Sequence, residues 1–128
     1  MRLTVFTLFV KDQDEALRFY VDRLGFIMTE DKQLGDYRWL LVSAPQSKDE
    51  VAINLELART PDQRALVGKQ GGGKPVFALA SDNCDRDVRA LKGRGVTFDG
   101  EPHTMPYGTG VTLNDLYGNK IYLNEDPR

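Results

Sequence analysis

Alternating apolar and polar residues predict eight short strands, four on each side of a glycine-rich segment. Helical spacing, with apolar residues three and four positions apart, occurs twice, each time after the first strand of a group. The predicted strands cover residues 3–10, 26–30, 37–43 and 51–57 in the first half, and 76–80, 96–98, 108–113 and 120–124 in the second. The pattern therefore predicts the order βαβββ twice.

The ends of the two predicted helices are alike, which indicates an internal repeat. Asp12 and Asp82 lie 70 residues apart, and each is placed to cap a helix by accepting hydrogen bonds from the first backbone N–H groups. Gly25 and Gly95 are also 70 residues apart. Both glycines stand where a helix ends in a left-handed residue. A repeat of this length predicts a duplicated structural unit.

The repeat predicts an α+β fold of two tandem βαβββ modules, about 1–67 and about 76–128, within a single domain. A linker at about 68–75 joins the modules, and its glycines indicate flexibility. One helix can cover only one face of a four-stranded sheet, so the other face must contact something else. We expect the two curved sheets to enclose a cleft, and clefts are where small molecules bind.

Composition and charge narrow the classes of partner that the protein can have. Of the 128 residues, 41% are apolar and 28% are charged, as in soluble globular proteins. A net charge of −2 without a Lys/Arg cluster argues against a nucleic-acid partner. The apolar segment 1–10 is too short to span a bilayer, so no membrane partner is expected. Cys84 is the single cysteine, which favours a reducing cytoplasm, and it shares an apolar helix face with Val88 and Leu91, which predicts a core thiol.

The pattern and its motifs resemble the vicinal oxygen chelate superfamily, which includes glyoxalase I, extradiol dioxygenases and bleomycin-resistance proteins. Residues 9–26 are similar to the first strand and helix of that superfamily. Residues 93–98 are a second segment that carries the resemblance. Residues 115–121, DLYGNKI, are similar to its usual closing sequence D-P-D-G-N-x-I. The resemblance covers almost the whole chain, and it implies a homodimer.

The superfamily usually holds a divalent metal with side chains from the first and last strands of each module. The resemblance places these four positions at Val5, Asn54 and Tyr122, with the fourth at Pro75 or Val76. Valine and proline have no donor atom, and asparagine and neutral tyrosine bind metals weakly without charged companions. We therefore expect no metal and no cofactor, and no catalytic residue can be assigned.

The resemblance and strand parity predict a ligand site with aromatic walls. Val5, Thr7, Asn54 and Tyr122 occupy the inward positions of the superfamily, and Glu56 shares a face with Asn54 because successive side chains alternate. The complete set of predicted ligand-binding residues is Val5, Thr7, Trp39, Asn54, Glu56, Phe77, Tyr107 and Tyr122.

Parity also places Tyr37 on the same face as Trp39, opposite Arg38 and Leu40. The sequence does not decide which of the two faces of this strand points inward. We place Trp39 in the predicted cleft.

Three functions remain open. The first is metal-free binding of a small organic, preferably aromatic ligand, as in the superfamily's antibiotic-sequestering branch, which binds cationic drugs in acidic, aromatic clefts between two chains. The second is a lyase, isomerase or dioxygenase-type enzyme with non-standard metal ligands, or with acid/base chemistry at Glu56, His103 or Tyr122. The third is a dimerising structural or regulatory module. His103 lies in a Pro-bracketed segment and is more simply explained as a solvated loop histidine.

Overall fold

The computed structural model describes residues 1–127, and the chain forms two compact units that divide between Gly68 and Lys69. The first unit contains β1 (Val5–Val10), α1 (Gln13–Arg18), a π-helical turn (Phe19–Arg23), β2 (Ile27–Leu34), β3 (Tyr37–Ser43), a 3-10 turn (Pro45–Ser47), β4 (Ala52–Leu57) and α2 (Pro61–Leu66). Its sheet has the order β1-β4-β3-β2, with β1 parallel to β4 and the other pairs antiparallel. The predicted βαβββ order is confirmed in this unit.

The second unit contains β5 (Pro75–Ala80), α3 (Cys84–Gly93), β6 (Thr97–Phe98), β7 (His103–Met105), β8 (Gly108–Asn114) and β9 (Lys120–Glu125). Its sheet has the order β5-β9-β8-β6, and β7 also pairs with β8. Strand β5 is parallel to β9, as β1 is parallel to β4 in the first unit. The mixed α+β class and the two-module arrangement are therefore confirmed, with β7 as an additional strand.

Helix α1 begins as the sequence predicts. The Asp12 side chain accepts a hydrogen bond from the Glu15 backbone N–H at 2.9 Å. The helix widens into the π-helical turn, where the N–H of Leu24 donates to the carbonyl of Phe19 at 3.0 Å. Gly25 follows with φ 83°, the left-handed conformation predicted for the helix end.

The first unit buries an apolar core between α1 and one face of its sheet. The buried residues include Leu8, Val10, Ala16, Tyr20, Leu40, Val42, Ile53 and Leu55. Polar contacts fix α1 on this face: the Gln13 side chain donates to the Leu55 carbonyl at 2.8 Å, and the Arg38 guanidinium lies 2.7 Å from the Asp14 carboxylate. The core therefore occupies the Arg38 and Leu40 side of β3.

The cap of α3 differs from the prediction by one residue. The side chain of Asn83, not that of Asp82, accepts from the backbone N–H of Arg86 at 3.0 Å. Asp82 forms an ion pair with the Arg86 side chain instead. The Glu125 carboxylate accepts from the Cys84 N–H at 2.6 Å. This contact from β9 satisfies the first helical N–H, and it acts together with the local cap that Asn83 provides.

The core of the second unit lies between α3 and one face of its sheet. Cys84, Val88 and Leu91 are buried on the helix, together with Val111, Leu113, Ile121 and Leu123 on the strands. Cys84 is fully buried, and burial raises the pKa of its thiol. The predicted core thiol is confirmed. Among residues 1–127, none of the helices is long and apolar enough to cross a membrane.

Three further differences from the predicted elements have local causes. Strand β2 continues beyond residue 30 to Leu34 because it pairs with β3 along its whole length, although its outer half is polar and exposed. His103 lies in strand β7 rather than in a loop, opposite Gly110. Helix α2 carries a capping box between Thr60 and Gln63, a signal that the sequence contains and the strand pattern hides.

Candidate functional site

The candidate site is the face of the first sheet opposite α1. Thr7 and Leu41 both pair with Asn54 across neighbouring strands, so their side chains share a face. Alternation along each strand adds Val5, Glu56 and Trp39. We call this surface the first-sheet face and define it by Val5, Thr7, Tyr37, Trp39, Asn54 and Glu56.

A carboxylate at the centre of the first-sheet face receives two hydrogen bonds from neighbouring side chains. The Tyr37 hydroxyl donates to Glu56 Oε1 at 2.6 Å. Asn54 Nδ2 donates to the same oxygen at 3.0 Å. The hydrogen bond to Glu56, followed by desolvation, raises the pKa of Tyr37. Tyr37 is therefore a neutral donor at physiological pH, and Glu56 fixes its ring.

The indole of Trp39 is held by a second carboxylate on the edge strand β2. Trp39 Nε1 donates to Glu30 Oε2 at 2.9 Å, and Lys32 Nζ lies 2.7 Å from Glu30 Oε1. The hydrogen bonds from Lys32 and then Trp39 lower the pKa of Glu30. Two aromatic rings on β3 are thus oriented by carboxylates from different strands. These contacts decide the orientation that the sequence leaves open, because they place Tyr37 and Trp39 on the same side as Asn54.

Asn54 contributes an acceptor that is not satisfied. The residue is 5% exposed, and its Oδ1 is buried without a hydrogen bond from residues 1–127. The bond from Nδ2 to Glu56 fixes the amide with Oδ1 as the remaining group. Burying an acceptor in this way costs about 1–3 kcal/mol. A donor to Asn54 Oδ1 would remove this cost, and the same holds for Asn119 Oδ1 in the turn between β8 and β9.

Tyr122 lies on the face of the second sheet opposite α3. It pairs with Thr112 and Ala78, whereas the adjacent Ile121 and Leu123 are buried on the other face. Its ring covers Gly110 on strand β8: a Cβ added at Gly110 would lie 1.8 Å from the Tyr122 hydroxyl oxygen. The glycine therefore allows the ring to lie flat on the sheet, as aromatic residues over strand glycines do.

Two predicted site residues lie elsewhere. Phe77 pairs with Ile121 and so points to the α3 side, away from the side of Tyr122. An irregularity between Pro75 and Phe77 shifts the strand parity there, which is why simple alternation does not place Phe77. Tyr107 lies in the turn between β7 and β8 and is 70% exposed.

The residues at the superfamily's metal positions do not fit a metal. Val5 and Pro75 have no side-chain donor atom, and the Asn54 amide is turned so that Nδ2 faces a carboxylate. In the part of the chain that the structure describes, no cluster of three His, Cys, Asp or Glu side chains could hold a metal ion. We therefore derive no step through a metal at these positions.

Comparisons with known proteins establish the family. The model of the Glyoxalase/Bleomycin resistance protein/Dioxygenase superfamily matches residues 2–123. The chain belongs to this superfamily. An uncharacterized protein of Shewanella frigidimarina (strain NCIMB 400) is 39% identical over 114 residues, which cover 88% of this chain and 84% of the relative.

Solved structures agree with this assignment. The crystal structure of UcmS2 superimposes on this chain with a TM-score of 0.86 and 32% sequence identity, and the match covers 97% of each chain. TnmS3, an antibiotic binding protein from Streptomyces sp. CB03234, has a TM-score of 0.82 and 29% identity over 99% of this chain and 97% of that chain.

The superfamily's closing motif has a structural role in this chain. Asp115 Oδ1 accepts from the backbone N–H groups of Tyr117 and Asn119, both at 2.9 Å. Asp115 Oδ2 accepts from the Asn119 side chain, also at 2.9 Å. Gly118 has φ 93° between them. These contacts form the turn that joins β8 to β9, so the motif fixes the strand that carries Tyr122.

Proposed function

We propose that this protein binds a small organic ligand with a flat aromatic part on the first-sheet face, without a metal. One observation carries the proposal: Tyr37 is oriented by the part-buried carboxylate of Glu56 and Trp39 by that of Glu30, on the face opposite α1. Aromatic walls with a few fixed polar groups are typical of small-molecule sites. The cleft that the sequence predicts between two sheets stays a prediction.

The contacts within the first-sheet face support binding because they order the site before a ligand arrives. Tyr37 and Trp39 are each held by a carboxylate, so little side-chain freedom is lost when a ring stacks against them. The Glu56 carboxylate can then orient a polar group of the ligand relative to the rings. Such pre-ordering increases affinity without adding contact area.

The ligand class follows from a relative. TnmS3 is an antibiotic binding protein and shares 29% identity with this chain over nearly its whole length. We infer that an aromatic antibiotic or a compound of similar size is the ligand. The single, buried Cys84 supports a reducing cytoplasm as the place of action.

A fluorescence titration tests the proposal directly, because Trp39 is the only tryptophan of the chain. Aromatic antibiotics are added in the presence of a chelator, and tryptophan emission is followed together with calorimetric heat. We expect saturable quenching with the same dissociation constant in both measurements, unchanged by the chelator. Binding or turnover that disappears on chelation would contradict the proposal and favour the enzyme with non-standard metal ligands.

Substitutions localise the binding. Trp39→Ala should weaken calorimetric affinity roughly tenfold or more, since truncating a central aromatic contact costs about 2 kcal/mol or more. Tyr107→Ala is the matched control, because it removes an exposed aromatic ring outside the first-sheet face. Equal effects of both substitutions would place the ligand elsewhere.

The homodimer that the resemblance implies is a separate proposal. Strands β1 and β2 form the edges of the first sheet, and β5 is an edge of the second. Unpaired strand edges offer backbone groups to a second copy. Sedimentation velocity at micromolar concentration should give a single species of twice the chain mass, and a monomer at these concentrations would contradict it.

A further inference from the structure

The side-chain donors of the first-sheet face are already in use. The Tyr37 hydroxyl and Asn54 Nδ2 both donate to Glu56 Oε1, and Trp39 Nε1 donates to Glu30. Lys32 is paired with Glu30 as well. Ser43, which follows Trp39 on the same side of β3, donates its hydroxyl to the Val51 carbonyl at 2.9 Å. Thr7, opposite Asn54 in the register, also takes part in an interaction.

The groups that remain on β4 are acceptors. Both hydrogen bonds to Glu56 end on Oε1, so Oε2 receives none from residues 1–127. Asn54 Oδ1 is buried and likewise receives none from the described chain. Glu56 forms no ion pair with a Lys, Arg or His side chain among residues 1–127. An acceptor-only carboxylate and a fixed amide oxygen therefore stand on the same face of the same strand, two residues apart.

We infer that the first-sheet face selects ligands that carry an N–H or O–H donor next to an aromatic ring, with Glu56 Oε2 as the acceptor. This inference rests on the proposed function and assigns the specificity of the same surface. Glu56 receives the donor, and Tyr37 and Asn54 are positioning residues that keep its carboxylate in place. Trp39 supplies the ring contact.

Donor selection excludes ligands that aromatic stacking alone would accept. A ligand with only acceptors, such as an ether, cannot form a hydrogen bond to Glu56 Oε2. A ligand carboxylate is disfavoured further, because it approaches the charge of Glu56. Hydrogen bonds to a charged group account for roughly ten- to hundredfold in binding constant, so the discrimination is measurable with weak ligands.

A matched series of probes tests the inference. Naphthol, aminomethylnaphthalene, methoxynaphthalene and naphthoic acid, all substituted at the same ring position, share a ring and differ in donor and charge. Their dissociation constants are measured by calorimetry on the full chain in metal-free buffer. We expect naphthol and aminomethylnaphthalene to bind roughly tenfold or more tightly than methoxynaphthalene, and naphthoic acid to bind most weakly.

One conservative substitution locates the acceptor. Glu56→Gln keeps the size of the side chain and an oxygen for Tyr37, but its amide presents a donor where the carboxylate presented an acceptor. We expect the preference for naphthol over methoxynaphthalene to fall roughly tenfold in this variant. Glu50→Gln, at an exposed position of the first unit, is the matched control and should keep the wild-type preference.

The outcomes separate the inference from the proposed function. Equal binding of naphthol and methoxynaphthalene would overturn donor selection and leave aromatic binding standing. A donor preference that survives Glu56→Gln would overturn the assignment to Glu56. If neither the naphthalene series nor the antibiotic panel binds, the proposed function fails, and the inference fails with it.

Discussion

The two sheets have the same strand connections, but their faces opposite the helices differ in chemistry. The first-sheet face carries Tyr37, Trp39 and Asn54 around the carboxylate of Glu56. The corresponding face of the second sheet carries Thr112, Lys120 and Asn124, with the Tyr122 ring lying over Gly110. On the first face, carboxylates hold two aromatic rings in place. On the second face, one aromatic ring lies against a strand glycine.

The helix-covered faces show the opposite relation. In both units they are filled with aliphatic side chains, and in both a polar group of the sheet or helix fixes the helix: Gln13 on the Leu55 carbonyl, and Glu125 on the Cys84 N–H. The common fold requires these faces to stay apolar. The other faces are released from that requirement, so a duplicated module can differ there without losing its core.

The largest expected effect tests the similarity of the two cores. Leu55→Ala in the first unit and Leu113→Ala in the second should each lower the free energy of unfolding by about 2–5 kcal/mol, because both side chains are fully buried. Urea denaturation followed by circular dichroism measures the loss. Leu34→Ala, at a 61% exposed position, should stay within about 0.5 kcal/mol. A small loss of unfolding free energy at either buried leucine would contradict the expected similarity of the two cores.

A smaller effect is expected on the polar face of the first sheet. Tyr37→Phe keeps the ring but removes the 2.6 Å donor to Glu56, so we expect a loss of about 1–2 kcal/mol in unfolding free energy. Tyr107→Phe is the control, since that hydroxyl belongs to an exposed residue. Equal denaturation midpoints for Tyr37→Phe and wild type would show that the network does not stabilise the fold.

On the second sheet, Tyr122 decides whether one substitution stabilises or destabilises the fold. Gly110→Ala places a methyl group against the Tyr122 ring, so the ring must move, and we expect a loss of about 1 kcal/mol. In a Tyr122→Ala background the same change should stabilise by about 0.4–1 kcal/mol, because Gly110 does not have positive φ and alanine restricts the unfolded chain. A thermal-denaturation double-mutant cycle measures the coupling. Additive effects would contradict the contact between the ring and the glycine.

The smallest expected effect is on the pH dependence of folding stability in acid. The hydrogen bonds from Arg38 lower the pKa of Asp31 below its ordinary 3.8, so the ionised form favours the folded state. The contribution is complete above about pH 5 and is lost as the pH falls through the folded-state pKa. Asp31→Asn should therefore cost at most about 1 kcal/mol at neutral pH and progressively less towards about pH 2.

An ion-paired carboxylate of the second unit serves for comparison: Asp99 lies 2.8 Å from Lys120. Arg38 engages both oxygens of Asp31 at 2.9 Å, so Asp31→Asn should have the larger effect of the two at neutral pH. Urea midpoints across the acid range measure the difference. A larger effect of Asp99→Asn would reverse the expected order.

Much of the fold could be predicted from local signals. Strand alternation placed β1, β3, β4, β5, β8 and β9, and the Asp12 cap and the glycines at 25 and 95 placed the helix ends. The errors occur where distant groups take part. Helix α3 begins one residue later than predicted, with Asn83 as its cap and the Glu125 carboxylate of β9 accepting from the Cys84 N–H. Strand β7 forms by pairing with β8.

Of the candidate site, parity along single strands predicted that Glu56 shares the face of Asn54 and that Tyr37 shares the face of Trp39. Parity could not relate one strand to the next, so the orientation of β3 stayed undecided until the register with β4 was known. Phe77 was not placed by parity, and it lies on the α3 side, where an irregularity in β5 shifts the alternation. A chain irregularity of this kind depends on the partner strand.

The sequence alone therefore determined the repeated modules, the apolar cores and the superfamily, because each depends on the identity and spacing of residues along the chain. Only the tertiary structure decided which donors meet which acceptors. Tyr37 and Glu56 lie on different strands, 19 residues apart, and their hydrogen bond exists because β3 pairs with β4 in one register. That register turns two aromatic residues and two polar residues into one surface, whose remaining acceptors set its proposed specificity.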